Sequence, residues 1–165
     1  MKILVLSDSH SGLRFMRQAV AAVKPDVLIH LGDHFDDGQV IAQENPHLPM
    51  HQVPGNCDSY RMFQYEPPVR CCDIGGVRFY MTHGHEHYVK QTRLRLLTAA
   101  REAGAQAALY GHTHRADCHR EEDGLWVMNP GACGSSFGSV GLITVESRQI
   151  TGCRILNHAD LEEWK

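Results

Sequence analysis

Five short apolar runs in this chain each lead into a polar cluster of one kind, and this repetition constrains the fold more than any other feature. Asp8-Ser9-His10 comes just after ILVL, and Gly32-Asp33 follows VLIHL. Gly55-Asn56 follows the run ending at Val53-Pro54, His83-Gly84-His85 follows VRFYMT, and Gly111-His112-Thr113-His114 follows AALY. Compact apolar runs suit strands buried on both faces. In open α/β sheets, ligands bind beyond the carboxyl ends of the strands. Strand ends carrying Asp, His and Asn would therefore meet at one place, with Gly32, Gly55, Gly84 and Gly111 letting the backbone turn tightly there.

The segments between these runs alternate. Ile3–Leu6 predicts the first strand, and Leu13, Met16, Val20 and Val23 recur at helical spacing until Lys24-Pro25 ends that helix. Val27–Leu31 predicts a second strand, Val40–Gln43 a short helix and Met50–Val53 a third strand. This βαβαβ order implies a parallel sheet with helices packed on it. Farther on, Val69–Ile74 and Val77–Met81 flank Gly75-Gly76, a hairpin signal. Val89–Ala103 predicts a long helix, with Leu96, Leu97, Ala100 and Ala103 on its apolar stripe and Gly104 ending it. Short strands are expected at Ala107–Tyr110, Ala116–Arg120 and Leu125–Met128, then at Val140–Val145 and Ile150–Ile155 around a turn near Ser147-Arg148. The expected fold is a single α/β domain over residues 1–165, with two mixed sheets face to face and helices outside.

Charge narrows the partners. Sixteen Lys plus Arg against nineteen Asp plus Glu leave a formal net charge of −3, with no basic run. That argues against a protein whose affinity comes from coating nucleic-acid phosphates. A small anionic substrate held on metal stays open, because the metal supplies the positive charge. Six cysteines, Cys57, Cys71, Cys72, Cys118, Cys133 and Cys153, form no C-x-x-C pair, which argues against a thiolate zinc site. Only a short apolar run separates Met1-Lys2 from Asp8, and no run approaches the ~20 apolar residues of a membrane span. The expectation is a cytoplasmic protein with reduced thiols and no membrane partner.

Imidazole and carboxylate donors bind Mn, Fe, Zn, Co or Ni without thiolates. The seven candidates Asp8, His10, Asp33, Asn56, His83, His112 and His114 are more than one ion takes. They suit two divalent ions sharing a bridging carboxylate, an arrangement with metals ~3.5–4 Å apart that serves phosphoryl chemistry.

Asp8-x-His10, Gly32-Asp33, Gly55-Asn56, His83 and Gly111-His112-x-His114 resemble the calcineurin-like metallophosphoesterase superfamily in order and spacing, from Asp8 to Gly131. Asn56-Cys57-Asp58, Thr82-His83-Gly84-His85 and Asn129-Pro130-Gly131 make the chain similar to the small bacterial and archaeal YfcE/YsnB-type branch. The resemblance implies a four-layer αββα sandwich. It implies one metal held by Asp8, His10, Asp33 and His114 and another by Asp33, Asn56, His83 and His112, with Asp33 bridging and a metal-bridging hydroxide attacking phosphorus in line. Mn²⁺ is the first expectation, and Ni²⁺, Fe²⁺, Co²⁺ or Zn²⁺ also suit such donors. Asn56 would help orient a phosphate oxygen, and His85 would line the site beside the ligands or the substrate. Relatives also imply a homo-oligomer, a dimer or larger.

One position departs from the family pattern. Much of the superfamily has a histidine directly after the Asn, where this chain has Cys57. A thiol with an unperturbed pKa of about 8.5 is a poorer acid and a weaker hydrogen-bond donor, so substrates with acidic leaving groups are expected. No cluster outside the metal set reads as a clamp for a terminal phosphate dianion. A small phosphodiester or nucleotide-like substrate is therefore expected ahead of a monoester, with Arg14 and Arg61 as candidate contacts.

Simpler readings stand beside these. Asp8 or Ser9 could N-cap the first helix, and Asp33 and Asn56 are ordinary loop residues, but this explains neither the histidines nor their order. His34 reads as an exposed loop residue. His83-x-His85-x-His87 begins a metallo-β-lactamase-like string but lacks the aspartate and histidine that would continue it. Cys71-Cys72 reads as a half-buried strand pair, Cys133 and Cys153 as small core residues, and Asn129-Pro130-Gly131 as a tight turn beside the site. The same fold also serves as a protein-binding scaffold, as in a retromer subunit that has lost ligand residues, whereas this chain keeps all seven.

Overall fold

Residues Ile3 to Leu6 are fully buried because their strand has a partner layer on each face: Ile3 and Val5 pack against a second sheet, Leu4 and Leu6 against helices. A computed structural model describes residues 1–134 and 137–164. In chain order the elements are β1 (Lys2–Leu6), α1 (Leu13–Val23), β2 (Val27–His30), α2 (Phe35–Glu44), β3 (Met50–Gln52), β4 (Val69–Ile74), β5 (Val77–Thr82), α3 (Leu94–Glu102), β6 (Ala107–Leu109), β7 (Asp117–Arg120), β8 (Trp126–Asn129), β9 (Ser139–Glu146), β10 (Gln149–Asn157) and α4 (His158–Glu163). One sheet has the order β10-β9-β1-β2-β3 and the other β4-β5-β6-β8-β7, with five strands each. Both are mixed: β1, β2 and β3 run parallel, as do β5, β6 and β8, while β9, β10, β4 and β7 pair antiparallel.

The apolar alternation of the strands sorts the core into three slabs. Between the sheets, Val5, Ile29 and Ile143 meet Phe79, Leu109 and Met128. Outside the first sheet, Leu4, Leu28 and Leu142 meet Phe15, Met16, Ile41 and Leu161 from α1, α2 and α4. Outside the second, Tyr80, Ala108 and Val127 meet Leu96 and Ala100 of α3. The result is the expected αββα sandwich. No helix of the described residues is long and apolar enough to cross a membrane.

One local expectation is corrected, a second is extended, and one helix is new. α3 starts at Leu94 rather than Val89, because a short 3-10 turn at His85–His87 and a left-handed Tyr88 (φ 55°) interrupt the helix, while Val89 packs on Gly84. α2 already begins at Phe35, and Asp36 and Asp37 sit in its first turn, where carboxylates complement the helix dipole. α4 was not anticipated from apolar spacing. Its signal is a capping box: the Asn157 side chain accepts from the amides of Ala159 and Asp160, and Asp160 accepts from the Asn157 amide.

The expectation of six reduced thiols is also corrected at one pair. Cys118 on β7 and Cys153 on β10 form a disulfide that ties the edge strand of one sheet to the edge strand of the other. Cys57, Cys71, Cys72 and Cys133 are free. Cys133 is buried and donates to the Ser7 carbonyl, and Cys72 is the half-buried member of the vicinal pair on β4.

Candidate metal centre

The polar clusters meet where β1, β2, β5 and β6 end at one edge of the sandwich. Asp8, Asp33 and His83 form a buried floor; His112 is half-buried; His10, Asn56 and His114 are exposed at the rim. The site is therefore charged at its base and open to solvent above. Five of the seven ligand candidates, Asp8, His10, Asp33, His112 and His114, have left-handed backbones, with φ of 53°, 39°, 56°, 67° and 57°. Such conformations cost of order 1–2 kcal/mol per residue outside glycine. Neighbouring structure must hold them in place.

Hydrogen bonds do that work. One oxygen of Asp8, Oδ2, accepts from the Ser7 hydroxyl at 2.6 Å and from the His112 amide at 3.1 Å. The other, Oδ1, is buried with no hydrogen-bond partner among the described residues, and faces His114 Nε2 at 3.1 Å and His83 Nε2 at 3.9 Å. Asp33 Oδ1 accepts from the Cys57 amide at 2.8 Å and lies 3.3 Å from His83 Nε2. His83 Nδ1 donates to the Leu31 carbonyl at 2.7 Å, which turns Nε2 toward the site. That Nε2 also stands 3.2 Å from Asn56 Oδ1.

Asp8, His10, Asp33 and His114 offer ligand atoms that all lie within 4.8 Å of one another, a group able to hold a metal ion. Among the remaining candidates, His83 Nε2 is within 3.3 Å of Asp33 Oδ1 and 3.2 Å of Asn56 Oδ1, and the His112 ring centroid is 5.1 Å from that of His83. His85 lies 5.5 Å from His83 and 6.1 Å from His112, ring to ring, and Phe63 packs on its other side. Cys57 is exposed beside the Asn56 amide, whose Nδ2 donates to its sulfur at 3.3 Å.

Protonation follows from these contacts. Burial pushes the Asp33 carboxyl up, but the hydrogen bond and charge of His83 and the Cys57 amide outweigh it and hold Asp33 well below the usual carboxylate range. Burial disfavours the charged His83, yet Asp33 and Asp8 win and raise its pKa. His112 is held down to about 4 by burial and by the positive charges of His83 and Lys90, and burial lowers His85 as well. Cys57 is pushed up to about 11, first by partial desolvation of its sulfur at the rim and then by Asp33, so the thiol keeps its proton.

Several supporting residues, some of them quoted above within motifs, had no role assigned from the sequence. Asp58 accepts from the amides of Gly55, Asp33 and Phe35 at 2.7, 3.1 and 2.8 Å, and so ties the Asn56 loop to the Asp33 loop. Asn129 is fully buried; it donates to the Gly111 carbonyl and to the Thr113 hydroxyl, and its own oxygen receives the Gly131 amide. The Asn129 turn thus braces the His112–His114 loop. His34, read as a plain loop residue, packs edge-on against His10 at 5.0 Å. His87 bonds the Tyr80 hydroxyl instead of joining the cluster. Ser9 does not cap α1, whose N-cap is Gly12; its hydroxyl bonds Asp37. Arg14 lines a cleft near Gln18 and His158, and Arg61 one between Phe35 and Tyr65.

Gly55 is explained by close approach. A Cβ there would lie 2.2 Å from Asp33 Oδ1 and 2.3 Å from the Asp33 amide nitrogen. Gly55→Ala is therefore expected to displace the Asp33 carboxylate, costing about 1–3 kcal/mol of stability and lowering metal content. Gly152→Ala, where the nearest atom would be 3.5 Å away, serves as control. Denaturation midpoints and elemental analysis of both variants check this; equal values would remove the steric argument.

Comparison with known proteins agrees with this geometry. The chain is 35% identical over 136 residues to the probable metallophosphoesterase YsnB of Bacillus subtilis, covering 80% of this chain and 75% of that one. Among solved structures, an archaeal phosphodiesterase superposes with a TM-score of 0.69 at 23% identity, covering 95% of this chain and 99% of the other. Vps29 from Entamoeba histolytica, complexed with Zn²⁺, gives 0.71 at 16% identity, covering 95% and 99%. Residues 1–148 match the family model described as the calcineurin-like phosphoesterase superfamily domain, a family that implies divalent metal ions, and the chain belongs to that superfamily.

Proposed function

We propose that this protein is a phosphodiesterase working with two divalent metal ions, Asp8, His10, Asp33 and His114 around one and Asp33, Asn56, His83 and His112 around the other. One observation carries the reading: Asp8 Oδ1, fully buried and without a hydrogen bond among the described residues, faces two imidazole nitrogens. A buried carboxylate oxygen without a donor costs several kcal/mol, and a divalent cation removes that cost.

When bound, the metals supply positive charge to the phosphoryl oxygens and lower the pKa of the attacking water. The water oxygen bonds to phosphorus and one ester P–O bond breaks, leaving a phosphomonoester and an alcohol that departs with a proton. Asn56, at the exposed rim, orients a phosphate oxygen with its amide. His85, neutral because of burial and the charge of His83, lines the site and accepts hydrogen bonds from substrate or water. Cys57, protonated beside Asn56, is a weak proton donor to the leaving group. Mn²⁺ is the proposed ion; the same donors accept Ni²⁺, Fe²⁺, Co²⁺ or Zn²⁺. The archaeal phosphodiesterase of this fold supports a diester over a monoester substrate.

Protein stripped with EDTA and reloaded with Mn²⁺ is expected to bind about two ions per chain. It should hydrolyse aryl phosphodiesters only when loaded, with rates rising as the pKa of the phenol falls. Bound metal without turnover of any phosphoester would instead favour a protein-binding scaffold.

A further inference from the structure

A cleft of ≈ 630 Å³ opens beside the metal centre and shares with it the His112–His114 loop, through Thr113. Three cations, Lys90, Arg93 and Arg115, line it against one carboxylate, Asp117. Arg93 is ion-paired to Asp117. Lys90 and Arg115 are exposed, and neither has an acidic partner among the described residues. Thr113 Oγ1 already accepts from Asn129 Nδ2 and from the Arg115 amide, which leaves the hydroxyl hydrogen to be donated into the cleft. The turn at Gln91–Arg93 also lines the cleft and leads into α3.

Lys90 and Arg93 reach this wall from the irregular segment before α3, and Arg115 from the segment after His114. These basic residues are scattered in sequence and brought together by the fold, which is why they do not read as a cluster in the sequence. Phosphate oxygens are matched by the guanidinium fork and by the lysine point charge.

We propose that this cleft binds a second, non-scissile phosphate of the substrate, so that preferred phosphoesters carry an additional phosphate besides the one that is hydrolysed. The inference rests on the phosphoesterase reading of the metal centre. Metal-loaded protein would be given thymidine 5′-(p-nitrophenyl phosphate), its 3′-phosphorylated form and the p-nitrophenyl ester of adenosine diphosphate. The last two place a second phosphate at a long and at a short spacing. One or both should show kcat/KM roughly tenfold to a hundredfold above the plain ester, as expected for charge-assisted hydrogen bonds. In the double variant Lys90→Ala, Arg115→Ala the ratio should fall toward one. Equal values for all three esters, or a ratio unchanged in the double variant, would overturn the proposal. Should no ester be turned over, the phosphoesterase reading fails, and calorimetry decides the cleft separately. Thymidine 3′,5′-bisphosphate should then bind the metal-loaded wild type at least about tenfold more tightly than the variant, and equal affinity sinks the proposal. Both side chains are exposed, so matching thermal midpoints will show that the variant is folded.

Discussion

Asp33→Asn is expected to lower kcat/KM on an aryl phosphodiester by at least about a thousandfold, equivalent to about 4 kcal/mol of transition-state stabilisation, and to cut bound metal at the same time. The variant keeps the shape of the side chain, and Oδ1 can still accept from the Cys57 amide. What disappears is the negative charge, which in the wild type is held on Asp33 by His83 and the Cys57 amide despite burial. In the proposed arrangement this is the one residue common to both metals, so its loss weakens two sites through a single substitution. Elemental analysis and steady-state kinetics on the same preparation test it. Wild-type metal content and turnover would refute the bridging role.

The second large effect concerns acid stability and involves no ligand. His30 ends β2, is fully buried, and neither ring nitrogen has a hydrogen-bond partner among the described residues. Burial pulls its pKa down to about 4 against the attraction of Asp58 and Asp37. Above the unfolded value near 6.5 the imidazole is neutral in both states, and its full contribution to stability is present. As the pH falls, the unfolded chain takes up the proton first, so stability is lost between about 6.5 and about 4. A difference of this size amounts to roughly 3 kcal/mol by pH 4. His30→Leu, of similar bulk and without a titrating group, should flatten that part of the profile. Denaturant unfolding of EDTA-treated wild type and variant at pH 7 and pH 4 gives the comparison. Parallel losses in the two proteins would show that His30 is not the group responsible.

Much of the architecture was legible because its cause is local and periodic. The apolar runs at Ile3–Leu6 and Val27–Leu31 had to be covered on two faces, and the Gly75-Gly76 turn allowed only a tight hairpin between β4 and β5. The seven ligand candidates were legible because each stands just past such a run, and the sheets bring them to one edge. What stayed hidden depends on neighbours distant in sequence. Asp58 could be quoted as part of the Asn56-Cys57-Asp58 motif, but what it does shows only when its carboxylate is seen gathering three amides from two loops. Cys118 and Cys153 carry no spacing signal, and only the stacking of the two sheets pairs them. Residues 89–93 have helical composition, but the left-handed Tyr88 and the burial of Val89 on Gly84 override it. Lys90 and Arg115 likewise became a pair only once the strand–helix connections were in place.

The left-handed backbone at Asp8, His10, Asp33, His112 and His114 sets folding and chemistry at odds in the same residues. Each is a ligand of the proposed metal centre, held in a conformation that glycine would adopt at less cost. A lineage that ceased to need the metal would gain stability by giving these side chains up, whereas regaining them would require accepting the strain again before any activity returned. In this fold the loss of such side chains is then energetically easier than their return.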